Sequence, residues 1–151
     1  MMAEKIKRLF PAICLVSAVT IFGCPKRNNS NSVSENDTTV IAYYFYRTVR
    51  CAGCLEIEAN AKRVIEENFA NHIAAEKLTW APFNLDEPGG DEFGKEFDVS
   101  MSTLVLSKEK NGNHTEYKKL EKVWQLAHDT EAFNTYVKDE VKQFLNEQLA
   151  N

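Results

Sequence analysis

The sequence predicts an α/β domain with a four-stranded mixed sheet and helices on both faces, in the order β-α-β-α-β-β-α. Three observations favour this fold class. Short apolar runs of strand length alternate with segments whose apolar residues recur at helical spacing. The first two strand-like runs flank a helix-like segment, as in a parallel β-α-β unit with a right-handed crossover. The dipeptide Asn111-Gly112 is a strong signal for a tight hairpin turn between the last two strands.

The first half of the domain is predicted from apolar patterning. A buried strand covers residues 40–46, and a helix follows over about 54–71. A second strand covers residues 78–85, and the segment Pro88-Gly89-Gly90 predicts a loop. The apolar face of the helix consists of Ile57, Ala61, Val64, Ile65 and Phe69. Its polar face includes Glu58 and Lys62, which we expect to form an i,i+4 ion pair.

The second half of the domain contains two short helical segments, two strands and a long helix. The short helices are expected over about 91–97 and around 120–127, and the strands begin at Leu104 and cover about 114–118. The last helix is expected to start near Thr130 as its N-cap. Its buried face consists of Phe133, Tyr136, Val137, Val141, Phe144, Leu145 and Leu149. Trp80 and Trp124 are assigned to the core.

A C-x-x-C dithiol, Cys51-Ala52-Gly53-Cys54, lies between the first strand and the first helix. This position puts Cys51 at or near a helix N-terminus, where unpaired backbone N–H groups and the helix dipole favour a thiolate. Two cysteines three positions apart close a small loop and give little entropic stabilisation. Redox or metal chemistry is therefore a stronger interpretation of the pair than structural stapling.

Residues 1–23 have the pattern of an export signal. Basic residues precede an apolar run of about 14 residues, which is shorter than the roughly 20 residues that span a bilayer. The run ends in Ile21-Phe22-Gly23-Cys24, which resembles a bacterial lipobox and implies that Cys24 carries lipid. We therefore expect a signal peptide at 1–23, an Asn/Ser-rich flexible tether at 24–38 with lipidated Cys24, and one domain at 39–151.

These expectations place the protein in a bacterial cell envelope, anchored by lipid on the exported side of a membrane. Disulfides are permitted in exported compartments. Of the four cysteines, Cys14 would leave with the signal peptide and Cys24 would carry lipid, so only Cys51 and Cys54 would remain as thiols. The chain has 18 basic and 22 acidic side chains and a net charge of −4, so it lacks the basic surface of a nucleic-acid-binding protein.

The order of elements, with C-x-x-C after the first strand, resembles the thioredoxin fold over residues 40–149. A narrower resemblance is to small thioredoxin-like proteins named the nitrophenyl compound nitroreductase subunit ArsF family. The segments that carry it are Tyr43-Tyr44-Phe45, Thr48-Val49-Arg50-Cys51, Cys54, Ile57-Glu58-Ala59, Ser102-Thr103-Leu104-Val105-Leu106-Ser107 and Lys122-Val123-Trp124. The resemblance implies a thiol–disulfide oxidoreductase or electron-relay protein, with Cys51 as nucleophile, Cys54 as resolving thiol and no cofactor beyond the dithiol. Its partner would be a protein thiol or disulfide, or a reductase complex.

Three positions depart from ordinary thioredoxins. Ser102, which precedes Thr103, occupies the place of the family's cis-proline facing the dithiol, which leaves room for a metal or metalloid. Phe45 occupies the place of the buried acid six residues before the first cysteine. Arg50 replaces the aromatic residue before Cys51, and an adjacent cation should lower the pKa of the thiol. Arg50, Ser102 and Thr103 are therefore predicted to modulate the dithiol.

Two alternative functions use the same residues differently. The thiolates of Cys51 and Cys54 could bind a soft metal or metalloid such as Zn²⁺, Cu⁺ or arsenite. A structural zinc site usually has four protein ligands, so Ser102, a partner or a second protomer would have to complete the shell. His72, His114 and His128 are scattered and are interpreted as surface histidines. The other alternative is an accessory subunit of a reductase complex.

Overall fold

Four strands form one mixed sheet in the computed structural model, which describes residues 38–149. They are β1 (Thr38–Tyr46), β2 (Leu78–Asn84), β3 (Thr103–Lys110) and β4 (Asn113–Lys119). The order across the sheet is β2-β1-β3-β4, with β1 parallel to β2 and antiparallel to β3, and β4 antiparallel to β3. This topology confirms the predicted mixed sheet and is compatible with a thioredoxin-like fold.

Helices cover both faces of the sheet, as predicted. They are α1 (Ala52–Asn68), α2 (Ala70–Ala74), α3 (Gly90–Glu96) and α4 (Thr130–Leu149), with a 3₁₀ turn at Glu121–Val123. α1 and α4 pack against each other over one face, and α3 covers the other. The single helix expected over 54–71 is two helices, because the backbone leaves the helical conformation at Phe69.

The larger core lies between the sheet and the α1–α4 layer. All five apolar positions predicted for the first helix are buried in it, four within α1 and Phe69 directly after it. α4 contributes Phe133, Val137, Val141, Phe144 and Leu145 from its predicted face. The strands contribute Val40, Ala42, Tyr44, Leu78, Leu104 and Leu106. The alternation along β1 therefore directs Tyr44 toward α1, the helix that begins at the dithiol.

A smaller aromatic core lies on the opposite face. Phe45 and Phe97 are fully buried there, and Tyr43, Phe83 and Phe93 pack around them. α3 approaches the end of β2 closely at Gly90, where an added Cβ would lie 2.6 Å from the carbonyl oxygen of Leu85. Real Cβ atoms do not come so near a backbone oxygen, so glycine is required at this position.

The predicted hairpin turn is confirmed, and the predicted N-cap of the last helix is corrected. Asn111 and Gly112 have φ values of 55° and 77°, which suit the predicted two-residue hairpin turn between β3 and β4. Thr130 is the first residue of α4 and not its N-cap. The cap is Asp129, whose Oδ1 accepts a hydrogen bond from the backbone N–H of Ala132 at 3.0 Å.

The predictions for the N-terminal part fall outside the described residues. These are the signal peptide at 1–23, lipidated Cys24 and most of the tether. No helix among residues 38–149 is long and apolar enough to cross a membrane.

Candidate active site

The dithiol lies where the sequence predicts it, at the junction between β1 and α1. Cys51 is the N-cap of α1 and has an extended backbone conformation, with φ −82° and ψ 162°. Its Sγ accepts a hydrogen bond from the backbone N–H of Cys54 at 3.1 Å, and Cys54 Sγ accepts one from the N–H of Cys51 at 3.3 Å. The first turn of α1 contains no acidic residue. After reduction, the Cys54 N–H and the helix dipole would favour a thiolate on Cys51.

The two cysteines form a disulfide and differ in exposure. Their Cα atoms are 5.1 Å apart, within the usual range for a disulfide. Cys51 is exposed, whereas Cys54 is 9% exposed and counts among the core residues. An incoming thiolate can therefore reach Cys51 more readily than Cys54.

Tyr44 connects the buried side of the dithiol to the core. The residue is fully buried, and its hydroxyl donates a 2.6 Å hydrogen bond to the carbonyl oxygen of Cys54. Burial raises the pKa of Tyr44 to about 12, and the charge of Glu58 adds to the rise, while Ser102 and Arg50 act in the opposite direction. The phenol is therefore a neutral hydrogen-bond donor at physiological pH. Sequence reasoning assigned Tyr44 to the core and missed this role.

Ser102 is connected to the dithiol segment by contacts with two side chains, those of Tyr44 and Trp124. Its side chain contacts the phenol of Tyr44, and its carbonyl oxygen accepts a 2.8 Å hydrogen bond from Trp124 Nε1. The ring of Trp124 lies close to Gly53 of the C-x-x-C segment, since a Cβ on Gly53 would be 3.6 Å from Trp124 Cζ3. The expectation that Trp124 belongs to the core is wrong, because the residue is 39% exposed. Trp124 instead joins the C-x-x-C segment to Ser102.

Thr103 is the first residue of β3 and is half-buried. It pairs with Phe45 of β1, and directly paired residues share a face of the sheet. That face carries the smaller aromatic core, whereas Tyr44 faces α1. The predicted role of Thr103 in modulating the dithiol stays a prediction.

Arg50 does not project into solvent beside Cys51. Its Nη1 forms a 2.6 Å ion pair with Glu58 Oε2, and both side chains are only about one-fifth exposed. The guanidinium carbon lies 3.7 Å from the ring centroid of Tyr46 and 5.9 Å from that of Tyr44. The expected Glu58–Lys62 pair is not the one that forms, since Lys62 pairs with Glu66 at 3.8 Å.

Arg47, in the loop before Cys51, forms ion pairs and a hydrogen bond with residues of three other segments. Its Nη1 pairs with Asp86 at 2.8 Å and its Nη2 with Asp91 at 2.9 Å, and its Nε donates to the carbonyl oxygen of Ser100 at 3.3 Å. Asp86 also accepts a 2.7 Å hydrogen bond from the backbone N–H of Thr48. The Arg47 guanidinium, followed by the Thr48 N–H, holds the pKa of Asp86 below its usual range. The loop leading to Cys51 is thus attached to the segment that precedes Ser102.

Four exposed apolar side chains lie on the segments next to the dithiol and Ser102, and we call them the apolar rim. Its members are Val49, Leu55, Met101 and Trp124. Val49 is 91% exposed and lies two residues before Cys51, and Leu55 directly follows Cys54. Met101, which is 65% exposed, directly precedes Ser102. In the described part of the chain, Tyr117 on β4 is the one other large apolar side chain of comparable exposure.

A shallow cleft opens beside the apolar rim. It has a volume of about 260 Å³. The residues that line it are Asp98, Val99, Ser100, Met101, Ser102, Thr103, Lys119, Glu121 and Trp124. Small-molecule sites are typically larger, about 300–1,000 Å³.

Few side chains at this site could act as ligands if the protein bound a metal. Over residues 38–149, no group of three or more His, Cys, Asp or Glu side chains is arranged to hold a metal ion. His72 lies in α2, His114 on β4 and His128 in the loop before α4. The sulfurs of Cys51 and Cys54 would supply two ligands after reduction, with Ser102 nearby, and a zinc shell would need more.

Comparison with models of known protein families gives no match to this chain, and comparison with curated proteins gives none either.

Removing the Tyr44 hydroxyl should change stability in a pH-dependent way. Because its pKa rises from about 10 to about 12 on folding, Tyr44 stabilises the fold fully below pH 10 and loses that contribution as the pH rises toward 12. Tyr44→Phe should cost about 1 kcal/mol near pH 7 through the lost hydrogen bond, and should flatten the fall in stability above pH 10. Urea unfolding at pH 7, 9, 10.5 and 11.5 measures both effects.

The flattening should be partial, because burial also raises the pKa of Tyr43 to about 12. A Tyr44→Phe protein with the same alkaline slope as the wild type would contradict the assignment.

Proposed function

We propose that this protein is a membrane-anchored thiol–disulfide oxidoreductase or electron-relay protein that uses the Cys51–Cys54 dithiol. One observation carries the proposal: an exposed cysteine at the N-cap of a helix is bonded to a buried cysteine one turn further on. This arrangement supplies an accessible nucleophile and a protected resolving thiol. Both are required for thiol–disulfide exchange through a mixed disulfide.

The reaction proceeds in two exchange steps. The Cys51 thiolate attacks a disulfide of the partner, forms a mixed disulfide and releases one partner thiolate. Cys54 loses its proton to solvent and attacks the sulfur of Cys51, which releases the second partner thiolate and forms the Cys51–Cys54 disulfide. Two electrons pass to the partner, whose two thiolates take up two protons. The same steps run in reverse when the protein oxidises a partner dithiol.

A polypeptide is the substrate class that best suits the surface around the dithiol. The apolar rim offers exposed hydrophobic area on the segments next to the dithiol and next to Ser102. The cleft beside it is about large enough for one side chain. The partner is thus a protein with a cysteine or disulfide next to apolar residues, either a free substrate or a subunit of a reductase complex. The proposal keeps the sequence resemblance to the ArsF-named thioredoxin-like proteins and adds a polypeptide as the substrate class.

The location is part of the proposal. Lipid on Cys24 would hold the protein at a membrane of the bacterial cell envelope, and the Asn/Ser-rich tether would let the domain reach partners near that surface. A tether of about 14 residues has ends that average about 20 Å apart.

A redox titration in glutathione buffers tests the proposal. The wild-type dithiol should titrate as a reversible two-electron couple with a midpoint between about −270 and −120 mV, the range of redox-active proteins of this chemistry. Acid quenching, alkylation and mass spectrometry measure the reduced fraction at each buffer ratio. The Cys51→Ser protein is the control and should show no such couple. A midpoint below about −300 mV, which is typical of structural disulfides, would overturn the proposal.

A further inference from the structure

The Arg50–Glu58 ion pair has an unusual position beside the dithiol. Arg50 directly precedes the nucleophile Cys51. Glu58 lies one helical turn after Cys54, so Cys54 and Glu58 share a side of α1. Arg50 carries the positive charge of the pair, and a cation near the Cys51 sulfur favours its thiolate. The position of the Arg50 guanidinium therefore bears on the reactivity of Cys51.

Few contacts hold the guanidinium in place. Glu58 Oε2 binds Nη1 at 2.6 Å, and the ring of Tyr46 lies beneath the guanidinium plane at 3.7 Å. Arg50 Nε and Nη2 are buried without a hydrogen-bond partner among the described residues. A cation with two nitrogens that donate no hydrogen bond gains hydrogen bonds if it moves to another anion or to water. Glu58 is thus the charged group that keeps Arg50 on Tyr46.

We infer that Glu58 is a positioning residue for the redox reaction, because it holds the Arg50 charge on Tyr46 and so limits how strongly Arg50 stabilises the Cys51 thiolate. The inference rests on the proposed function, since it concerns the reactivity of the same dithiol. It predicts that Arg50 is a stronger activator of Cys51 when Glu58 is absent. Glu58 acts through Arg50 and is not assigned any contact with the reacting sulfurs.

The other charged and titratable groups around the dithiol have partners of their own or lie on separate elements. On β1 these are Tyr44, bound to Cys54, and Tyr46, beneath Arg50. Arg47 is paired with Asp86 and Asp91. In the cleft, Lys119 is paired with Asp98 at 2.7 Å. Beside Trp124, the 3₁₀ turn carries Glu121 and Lys122, and Lys122 lies over the ring of Tyr136.

Glu58→Gln tests the inference through two readouts. The first is the pH dependence of iodoacetamide labelling of Cys51 in the reduced protein, which gives its apparent pKa. We expect the pKa to fall by about one unit in Glu58→Gln, a tenfold larger thiolate fraction at pH 6. Labelling at pH 6 should be only about threefold faster, because a less basic thiolate is a weaker nucleophile.

The second readout is the equilibrium with glutathione. Two glutathione thiols reduce the disulfide and become glutathione disulfide, and Cys51 releases its proton to solvent where its thiolate is favoured. Because Glu58→Gln stabilises this reduced form, the equilibrium should move toward the dithiol by up to about tenfold, which corresponds to about 30 mV. A change in fold stability alone would not move the pKa and the equilibrium together.

Arg50→Ala and the double variant show whether Glu58 acts through Arg50. Arg50→Ala alone should raise the pKa of Cys51. In the Arg50→Ala background, Glu58→Gln should have little more effect than Glu56→Gln, a matched loss of charge at an exposed position of the same helix. Glu58→Asp keeps the charge but shortens the side chain, and should move the pKa of Cys51 in the same direction as Gln. It provides a second variant if Glu58→Gln folds poorly.

Two outcomes would overturn the inference. One is a Glu58→Gln protein whose Cys51 behaves as in Glu56→Gln. The other is an equal effect of Glu58→Gln with and without Arg50, which would mean that Glu58 acts by its own charge. Failure of the proposed function would be visible earlier, as a wild-type protein without a reversible couple.

Discussion

Replacing Cys54 with serine should turn the protein into a trap for its partner. Cys51 remains exposed at the start of α1 and can still attack a partner disulfide. The second step is lost, because no sulfur remains at residue 54 to displace the partner from Cys51. Multiple-turnover reduction of a protein disulfide should therefore fall to the uncatalysed background while a mixed disulfide accumulates in stoichiometric amount. Non-reducing gel electrophoresis and intact mass measure the adduct.

Cys51→Ser is the matched variant, because it also removes one sulfur from the pair. It should form little adduct, since Cys54 is 9% exposed and its backbone is held by Tyr44. If the two variants formed adducts equally fast, the assignment of Cys51 as nucleophile would be wrong. If neither did, the dithiol would not be an exchange site.

Much of the fold was predictable because burial on each element follows a simple period. In β1, alternation sends Tyr44 toward α1 and Phe45 toward the aromatic core. In α1, helical spacing identified the buried apolar positions from Ile57 to Ile65, and also Phe69 directly after the helix. The position of Cys51 at or near a helix start followed in turn, because a strand must end and a helix begin between these two patterns. The structure makes Cys51 the N-cap, with α1 beginning two residues earlier than the predicted start near Cys54.

The site was less predictable because its contacts join residues from separate elements. Glu58 has a cation four residues later on its own helix, so the local rule favoured Lys62. The loop before α1 instead brings Arg50 to Glu58, and the ring of Tyr46 adds a favourable contact for the guanidinium. No periodicity within α1 contains this information, since it depends on how the loop folds over the start of the helix.

Trp124 illustrates a second limit. Its spacing with apolar neighbours, such as Val123 and Ala127, favoured the core, and those neighbours are indeed buried. The indole instead donates its N–H to the carbonyl oxygen of Ser102 and lies by Gly53. A large aromatic side chain with a polar group suits such a half-exposed position at a binding surface. Hydrophobicity alone cannot distinguish this position from the core.

The apolar rim should govern the choice of substrate more than the chemistry of the sulfurs. Val49 and Met101 project into solvent at 91% and 65% exposure, so replacing both with serine should leave the fold intact. If a protein partner covers them, the double variant should lose about 2 kcal/mol of transition-state binding, or about 30-fold in kcat/KM, for a protein disulfide. Reduction of glutathione disulfide should change little, because a small substrate covers little of the rim.

The comparison between the two substrates makes this prediction specific. An equal loss for both would indicate that the substitutions altered the dithiol itself, and no loss for either would show that the rim takes no part in docking. Tyr117→Ser is the matched control, since Tyr117 is a large exposed side chain on β4 that lies outside the rim. A selective loss for the protein substrate in Val49→Ser/Met101→Ser, absent in Tyr117→Ser, would mean that the partner binds around the disulfide. Specificity would then come from hydrophobic area beside Cys51, and reactivity would come from the position of Cys51 at the helix start.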